Sequence, residues 1–290
     1  MRSGLLKSMD VSEILTNKTE HVKSQIQALE QANPLREPVL QAAITALQLA
    51  RGTHGLDIGC GIGLQSLLLA QATGAGGRVT GLDISPELLA YARQRIRASP
   101  FASQITFEEG DMTCLPFDND TFDWAWSADC AGYPAGDQLP LLQEIAPVVR
   151  PGGRVALLAW TSQQVLPGYP MLEARLNAAC SAYAPYLQGK PPNSHFLRIS
   201  SWFSQARIRR PTGRTFIGEA QAPLEPEIRT ALASLFEMLW GGQQEEAAPA
   251  DRLEYGRLCD PHSPDFILDI PGYYTFFTYT MFTGIIEKAG

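Results

Sequence analysis

The stretch Leu56-Asp57-Ile58-Gly59-Cys60-Gly61-Ile62-Gly63 places three glycines at alternate positions directly after a short apolar run. An apolar segment, residues 64–70, follows and is suited to a buried helix. The pattern therefore predicts a strand, a tight turn and a helix. Glycine lets the backbone turn sharply and lets a ligand approach without meeting a Cβ. Because the helix offers free N–H groups at its start, the turn is a candidate ligand site.

The spacing of these glycines bears on the class of ligand. Dinucleotide enzymes use G-x-G-x-x-G, whereas here the spacing is G-x-G-x-G and the bulky Leu64 takes the sixth position. Asp57 adds a carboxylate two residues before Gly59. A carboxylate disfavours a pyrophosphate and suits a cationic ligand, such as an ammonium or a sulfonium. An ordinary glycine-rich turn that binds no ligand is the alternative.

These residues resemble the first motif of the class I S-adenosylmethionine-dependent methyltransferases, hydrophobic-Asp-hydrophobic-Gly-x-Gly-x-Gly. The resemblance implies a Rossmann-like, doubly wound α/β fold. Its sheet would have seven mostly parallel strands, with an antiparallel strand at the C-terminus. It also implies S-adenosyl-L-methionine as the cofactor and S-adenosyl-L-homocysteine as the product. The expected cofactor-binding residues of this motif are Asp57, Gly59, Cys60, Gly61 and Gly63.

A second cofactor contact is predicted at the end of the next strand, residues 78–84. Asp83 lies 20 residues after Gly63, the usual offset of a ribose-binding acid in such folds. A carboxylate can accept two hydrogen bonds from a vicinal diol. Because Ser85 already fits the N-cap position of the following helix, ribose binding is favoured for Asp83 over a capping role. Ile84 is expected beside it at the cofactor.

Residues 105–112 predict a third strand and its end. In the family that the first motif resembles, an acidic side chain here lies near the adenine amino group, and the next residue offers its backbone N–H to the ring. Asp111 and Met112 match these positions. Contact with the adenine is therefore expected, and a plain surface turn is the alternative.

Leu115-Pro116-Phe117, followed after four residues by Phe122-Asp123, resembles the small-molecule branch of the family, the ubiquinone- and menaquinone-biosynthetic C-methyltransferases. The strand that follows ends at Ser127-Ala128-Asp129-Cys130. Ligands bind at this carboxyl end of the strands in open α/β sheets. Ser127 is therefore a further candidate for cofactor binding. After the turn at residues 150–153, residues 154–160 predict a buried fifth strand.

The candidates on the acceptor side are less specific. Methyl transfer from a sulfonium is expected to be a single in-line displacement, for which the protein mainly supplies proximity and orientation. A base is needed only when the attacking atom keeps a proton. The candidate catalytic residues are Asp129 at the strand end, Tyr133 just after it and His195. His195 also fits a surface loop after Pro191-Pro192. Two interpretations remain for Trp160, Tyr169, Trp202 and Phe203: they line an apolar pocket, or they pack in the core.

A single domain, residues 1–290, is predicted. Residues 1–50 are helical, broken by Asn33-Pro34 and Glu37-Pro38, and form either a packing helix or a cap over the pocket. The other expected parts are a cofactor-binding core (51–160), insertions that form the acceptor pocket and lid (161–200 and 221–270), and two closing strands (207–220 and 273–286).

Composition excludes several classes of protein. The formal net charge of −7 argues against a nucleic-acid groove, which needs a basic stripe. The five cysteines form no C-x-x-C pair, so no metal site or disulfide framework is indicated. The first residues lack an apolar export region, and no run reaches the ~20 apolar residues of a membrane span. A cytoplasmic protein without membrane insertion is expected.

The sequence therefore predicts methyl transfer from S-adenosylmethionine to an acceptor. The expected partner is this acceptor, a small organic molecule. An NAD-dependent oxidoreductase is the alternative with the same fold. A non-catalytic S-adenosylmethionine-binding protein is the alternative from another class, because this chemistry needs no signature residue. Nothing in the sequence indicates the oligomeric state.

Overall fold

The computed structural model describes residues 11–130, 139–179, 189–241 and 247–287. Within them a seven-stranded sheet has the order β3-β2-β1-β4-β5-β7-β6. The strands are β1 (His54–Ile58), β2 (Arg78–Asp83), β3 (Ile105–Glu109), β4 (Phe122–Ala128), β5 (Val149–Gln164), β6 (Ile208–Gln221) and β7 (Tyr274–Ile286).

The described α-helices precede β1, follow β1, β2 and β4, and then fill the later insertions. None of them is long and apolar enough to cross a membrane. They are α1 (Val11–Ala46), α2 (Leu64–Thr73), α3 (Pro86–Ile96), α4 (Leu139–Val148), α5 (Pro170–Ala179), α6 (Ser200–Gln205), α7 (Pro226–Trp240) and α8 (Pro249–Cys259).

The topology confirms the predicted Rossmann-like class. The pairs of β1 with β2, β2 with β3, β1 with β4 and β4 with β5 are all parallel. Strand β7 runs antiparallel to both β5 and β6, between which it lies. The order changes direction between β1 and β4, and ligands bind at such a switch point, outside the carboxyl ends of the strands.

The central strands are buried on both faces, as the apolar runs of the sequence predict. Successive side chains of a strand point to opposite faces. Trp124 and Trp126 accordingly belong to the core cluster that also contains the buried face of α1. Ala125 between them belongs to the cluster on the other face, with residues of α4 and α6. The sheet therefore has helices on both sides.

The N-terminal helix α1 corrects one expectation. It continues through Pro34 and Pro38, which were expected to break it. A proline inside a helix removes a hydrogen bond and costs about 3 kcal/mol. The buried apolar face of the same segment, which includes Val39, Ala43 and Ile44, offsets that cost. Tertiary packing here overrides local preference.

Two more segments differ slightly from the predicted bounds. Strand β5 begins at Val149, before the turn expected at residues 150–153. Its register with β4 shifts between the pairs Phe122–Val149 and Trp124–Arg154, so residues 150–153 form an irregular part of the strand. The apolar spacing of residues 171–186 predicts a helix, and the structure has a helix that begins at Pro170 and is described to Ala179. Residues 180–188 lie outside the described residues.

Candidate functional site

A cavity of about 670 Å³ opens at the carboxyl ends of β1, β2 and β4. The turn after β1 and the end of β2 line one side of it. Helices α1 and α7 and strand β7 contribute the opposite walls. Its lining includes Leu29, Arg36, Gly59, Cys60, Gly61, Gln65, Asp83, Ile84, Ser85, Asp129, Cys130, Trp160, Leu235, Met238, Leu239 and Tyr279.

The three glycines of the turn all have positive φ, but they serve different purposes. A Cβ on Gly59 would overlap the Cys130 Sγ at 1.9 Å, and one on Gly63 would meet the Phe107 ring at 2.8 Å. Among the described residues, a Cβ on Gly61 would meet only Leu29, at 3.8 Å. Packing therefore requires two of the glycines, whereas Gly61 keeps space open at the cavity.

Asp83 lines the cavity beside this turn. One carboxylate oxygen, Oδ2, accepts a hydrogen bond from the Gly61 N–H at 2.8 Å. The other, Oδ1, accepts one from the Ser85 N–H at 2.9 Å. Ser85 caps α3 as predicted, since its hydroxyl accepts from the Leu88 N–H at 3.2 Å. Each Asp83 oxygen can accept a further bond, so the carboxylate can shape the turn and still receive a ligand hydroxyl.

Asp57 takes a different position from the one expected of a residue that meets a cationic ligand. Its side chain is 2% exposed, and it is not among the cavity-lining residues. Its Oδ2 accepts a hydrogen bond from the Ser66 hydroxyl at 2.6 Å. Burial raises the pKa of Asp57 to about 7, which the bond from Ser66 partly opposes. Asp57 thus stabilises the turn by joining β1 to the start of α2.

A pH dependence of stability follows from this burial. The pKa of Asp57 is about 7 in the folded protein against an ordinary 3.8, so the folded state holds the proton more tightly. We expect the free energy of unfolding of the wild type to fall, relative to Asp57→Asn, as pH rises from about 4 to about 7. Urea unfolding of both proteins at pH 5 and pH 8 measures this difference. A constant difference would contradict it.

The remaining predicted cofactor residues are not among those that line the cavity. Asp111 is exposed, and its Oδ1 accepts bonds from the backbone N–H and the hydroxyl of Thr113, both at 2.8 Å. These bonds lower the pKa of Asp111. Met112 is half-buried beside the core. Ser127 is 2% exposed and donates its hydroxyl to the Ile58 carbonyl at 3.1 Å, which joins β4 to β1.

Of the candidate catalytic residues that the structure describes, Asp129 lines the cavity and His195 does not. Asp129 lies at the cavity, at the end of β4. Tyr133 lies outside the described residues. His195 is half-buried and absent from the cavity lining, and the next residue, Phe196, packs in the cluster on the α4 side of the sheet. Of the four aromatics considered for a pocket, Trp160 lines the cavity.

Asp129 belongs to a polar cluster that the sequence analysis missed, formed with Arg36 of α1 and Tyr279 of β7. The Asp129 Oδ2 accepts from the Arg36 Nη2 and, at 2.9 Å, from the Tyr279 hydroxyl. The Arg36 Nε donates to the Tyr279 oxygen at 2.7 Å. Burial raises the pKa of Tyr279, Asp129 adds to the rise and Arg36 opposes it, so the hydroxyl keeps its proton. We call these three residues the Arg36 cluster.

A signal for Arg36 was present in the sequence. Residues three and four apart share a helix face, and Ala32, Val39 and Leu40 stand at those offsets from Arg36 and are all buried. A charged residue on an apolar face faces the interior. Pro34 and Pro38 predict breaks in this segment, and a break would interrupt the helical phase that places Arg36 on the apolar face.

Comparison with known proteins addresses the central part of the chain. The family model described as a methyltransferase domain matches residues 56–153. A demethylmenaquinone methyltransferase from Shouchella clausii is 34% identical over 126 residues, which are 43% of this chain and 52% of that protein. The chain thus spans about half the length of the curated relatives it matches.

Solved structures resemble the chain over most of its length. The YcgJ protein from Bacillus subtilis superposes with a TM-score of 0.52 and 17% identity, over 87% of this chain and 100% of that one. The cyclase SpnF gives a TM-score of 0.51 and 16% identity, over 86% and 80%. Such distant likeness shows the fold alone, and the fold is shared with a protein named for a different reaction.

Residues 56–153 are therefore similar to a methyltransferase domain. The predicted resemblance to class I S-adenosylmethionine-dependent methyltransferases is confirmed for this part of the chain. The enzyme class and S-adenosylmethionine as its cofactor agree with the same match.

Proposed function

We propose that this protein, whose residues 56–153 match a methyltransferase domain, transfers a methyl group from S-adenosylmethionine to a small organic acceptor by in-line displacement. The observation that carries the proposal is the cavity of about 670 Å³, which joins the glycine turn to an apolar wall outside the matched residues. A volume between about 300 and 1,000 Å³ is typical of sites for small ligands.

The residues present fit the cofactor. The open space at Gly61 would receive its amino-acid end, because a Cβ there would fill the gap toward Leu29. The Asp83 carboxylate would accept from the ribose hydroxyls. Ile84, whose side chain is 68% exposed beside this carboxylate, offers an apolar surface for the adenine. Asp57, Asp111, Met112 and Ser127 would act indirectly, through the turn and the strand ends.

S-adenosylmethionine, when bound, supplies an already activated methyl group. The protein then needs to hold the acceptor in line and exclude water, which are the contributions of proximity and orientation. Trp160, Leu235 and Leu239 would pack against the acceptor and keep water away. Asp129 would position neighbouring groups rather than take a proton. Its two oxygens already accept hydrogen bonds from Arg36, Tyr279 and the backbone N–H of Trp160.

The acceptor we propose is small and largely apolar. The described cavity-lining side chains from α7 are all apolar, and the relative from Shouchella clausii is named for demethylmenaquinone, an aromatic ring compound. The net charge of −7 disfavours nucleic acid as the acceptor. We also propose that the protein acts in the cytoplasm, in line with the sequence-based expectation.

Ligand-dependent melting tests the cofactor. A ligand that binds only the native state stabilises it by RT ln(1 + [L]/Kd), which is about 2.7 kcal/mol at 100 times Kd. We therefore expect saturating S-adenosylhomocysteine to raise the melting temperature by several degrees and NAD to leave it unchanged. Stabilisation by NAD alone would support the oxidoreductase alternative.

Turnover of methyl-labelled cofactor with a panel of small aromatic and aliphatic metabolites distinguishes an enzyme from a binding protein. His195→Ala is the matched control, because the half-buried His195 is not among the cavity-lining residues. Its turnover should equal that of the wild type. Stabilisation by S-adenosylhomocysteine without methylation of any panel member would favour a binding role.

A further inference from the structure

The Arg36 cluster lies on the cavity wall, and two of its three residues are outside the part of the chain that matches the methyltransferase domain. Arg36 comes from α1 and Tyr279 from β7, whereas the match covers residues 56–153. The Arg36 side chain is only 14% exposed, and that of Asp129 is 29% exposed. The family likeness therefore assigns no role to Arg36, and its burial beside a cavity requires an explanation.

The hydrogen bonds of Arg36 leave part of its guanidinium unused. An arginine side chain carries five N–H donors. Nε donates to the Tyr279 oxygen and Nη2 donates to Asp129. No acceptor for Nη1 is found in the part of the chain that the structure describes. Since Arg36 lines the cavity, the Nη1 donors are available to a bound molecule.

The other two members of the cluster hold the guanidinium in place. Nε and Nη2 are bound to two different elements, β7 and the end of β4, so the planar group cannot rotate away from the cavity without breaking both bonds. Burial lowers the pKa of Arg36, but the charges and bonds of Tyr279 and Asp129 outweigh it and raise the pKa. The group is therefore a fixed cation whose Nη1 donors have no acceptor among the described residues.

The surroundings indicate what such a donor would recognise. Trp160 and, across the cavity, Leu235, Met238 and Leu239 are apolar. Both Asp129 oxygens are occupied by donors, since Oδ1 accepts from the Trp160 N–H at 2.9 Å. A hydrogen bond to a charged group contributes more than a neutral one. The complementary molecule has an apolar body and one anionic oxygen.

We propose that Arg36 selects the acceptor by donating from Nη1 to an anionic oxygen of an otherwise apolar substrate, with Asp129 and Tyr279 as its positioning residues. This inference rests on the proposed function for the reaction, but it concerns binding at this wall only. It makes Arg36 a specificity-determining residue that belongs to the N-terminal helix.

Two probes with the same apolar body test the proposal, 2-naphthoate and its neutral methyl ester. Their dissociation constants are measured by calorimetry with the full-length protein, both ligand-free and saturated with S-adenosylhomocysteine. The wild type should bind 2-naphthoate roughly tenfold or more tightly than the ester in the saturated protein. Equal affinities for the two probes would overturn the proposal.

Variants locate the preference. The double variant Arg36→Met, Asp129→Asn removes both charges, so that no unpaired buried carboxylate remains to unfold the protein. It should bind the two probes equally. Arg36→Lys keeps the charge but not the planar guanidinium with its several donors, and should retain an intermediate preference. Asn33→Ala is the matched control, because Asn33 lines the same cavity from α1 and should leave the preference unchanged.

The outcomes separate this inference from the proposed function. A double variant that still prefers 2-naphthoate would overturn the role of Arg36, even if S-adenosylhomocysteine binds normally. Conversely, a failure of S-adenosylhomocysteine to stabilise the protein would refute the proposed cofactor. The preference of the ligand-free protein would then still report on Arg36.

Discussion

Gly61→Val is expected to weaken binding of S-adenosylhomocysteine by about 100-fold or more while leaving the secondary structure intact. Gly61 has φ 52°, a conformation that a β-branched residue adopts only at a cost of about 1–3 kcal/mol. Its Cβ would project into the space at the cavity, where only Leu29 lies within 4 Å. Calorimetry measures the affinity, and circular dichroism reports the fold.

A matched control separates steric blockage from backbone strain. Gly52 also has positive φ, 77°, with nothing within 4 Å of an added Cβ, and it is not a cavity-lining residue. Gly52→Val should therefore lower stability by a similar amount without changing the affinity. If both variants lost the ligand equally, strain rather than blockage would be the cause. If Gly61→Val bound normally, the ligand would lie elsewhere.

Asp83→Ala is expected to weaken binding of S-adenosylhomocysteine by roughly 10²–10³-fold. The reason is the loss of two hydrogen bonds from the ribose to a charged acceptor, each of which contributes about 1.5–3 kcal/mol. Asp83→Asn keeps one acceptor oxygen and should bind roughly tenfold more weakly than the wild type. Titration calorimetry of the three proteins gives the order directly.

The hydrogen bonds of Asp83 within the protein predict that the alanine variant also loses stability, which the sequence did not indicate. Its carboxylate also accepts from the N–H groups of Gly61 and Ser85. The alanine variant should therefore lose about 1–3 kcal/mol of stability in the absence of ligand. Glu109, the exposed acid paired in register with Asp83 on β3, is the control. Glu109→Ala should leave affinity unchanged. Unaltered affinity in Asp83→Ala would mean that Asp83 only shapes the turn.

The architecture was predictable because it depends on signals that are local along the chain. The glycine turn, the Ser85 cap and the apolar strands each specify their own element, and the family resemblance implied the mostly parallel sheet with its antiparallel C-terminal strand. The course of α1 was not predictable in this way. Its two prolines indicate a break, and only the long-range packing of residues such as Ile44 against the sheet outweighs them.

The site was predictable where one segment supplies both the backbone and the ligand contact, as at Gly61 and Asp83. It was not predictable where distant segments meet. Arg36 and Tyr279 are 243 residues apart in the chain and share a hydrogen bond, and no local pattern marks such a pair. Asp57 shows a third case, because a motif residue can serve the turn by its bond to Ser66 rather than by contact with a ligand.

The two ends of the cavity are encoded by separate parts of the chain, and this bears on how new substrates are acquired. The glycine turn and Asp83 lie within the matched domain, whereas α1 and α7 lie outside it and pack on each other. Replacement of α7 would exchange part of the proposed acceptor wall, whereas replacement of α1 would also change the contact of Leu29 with the space at Gly61. On the proposed function, sequence variation confined to α7 would change the acceptor without altering the cofactor turn.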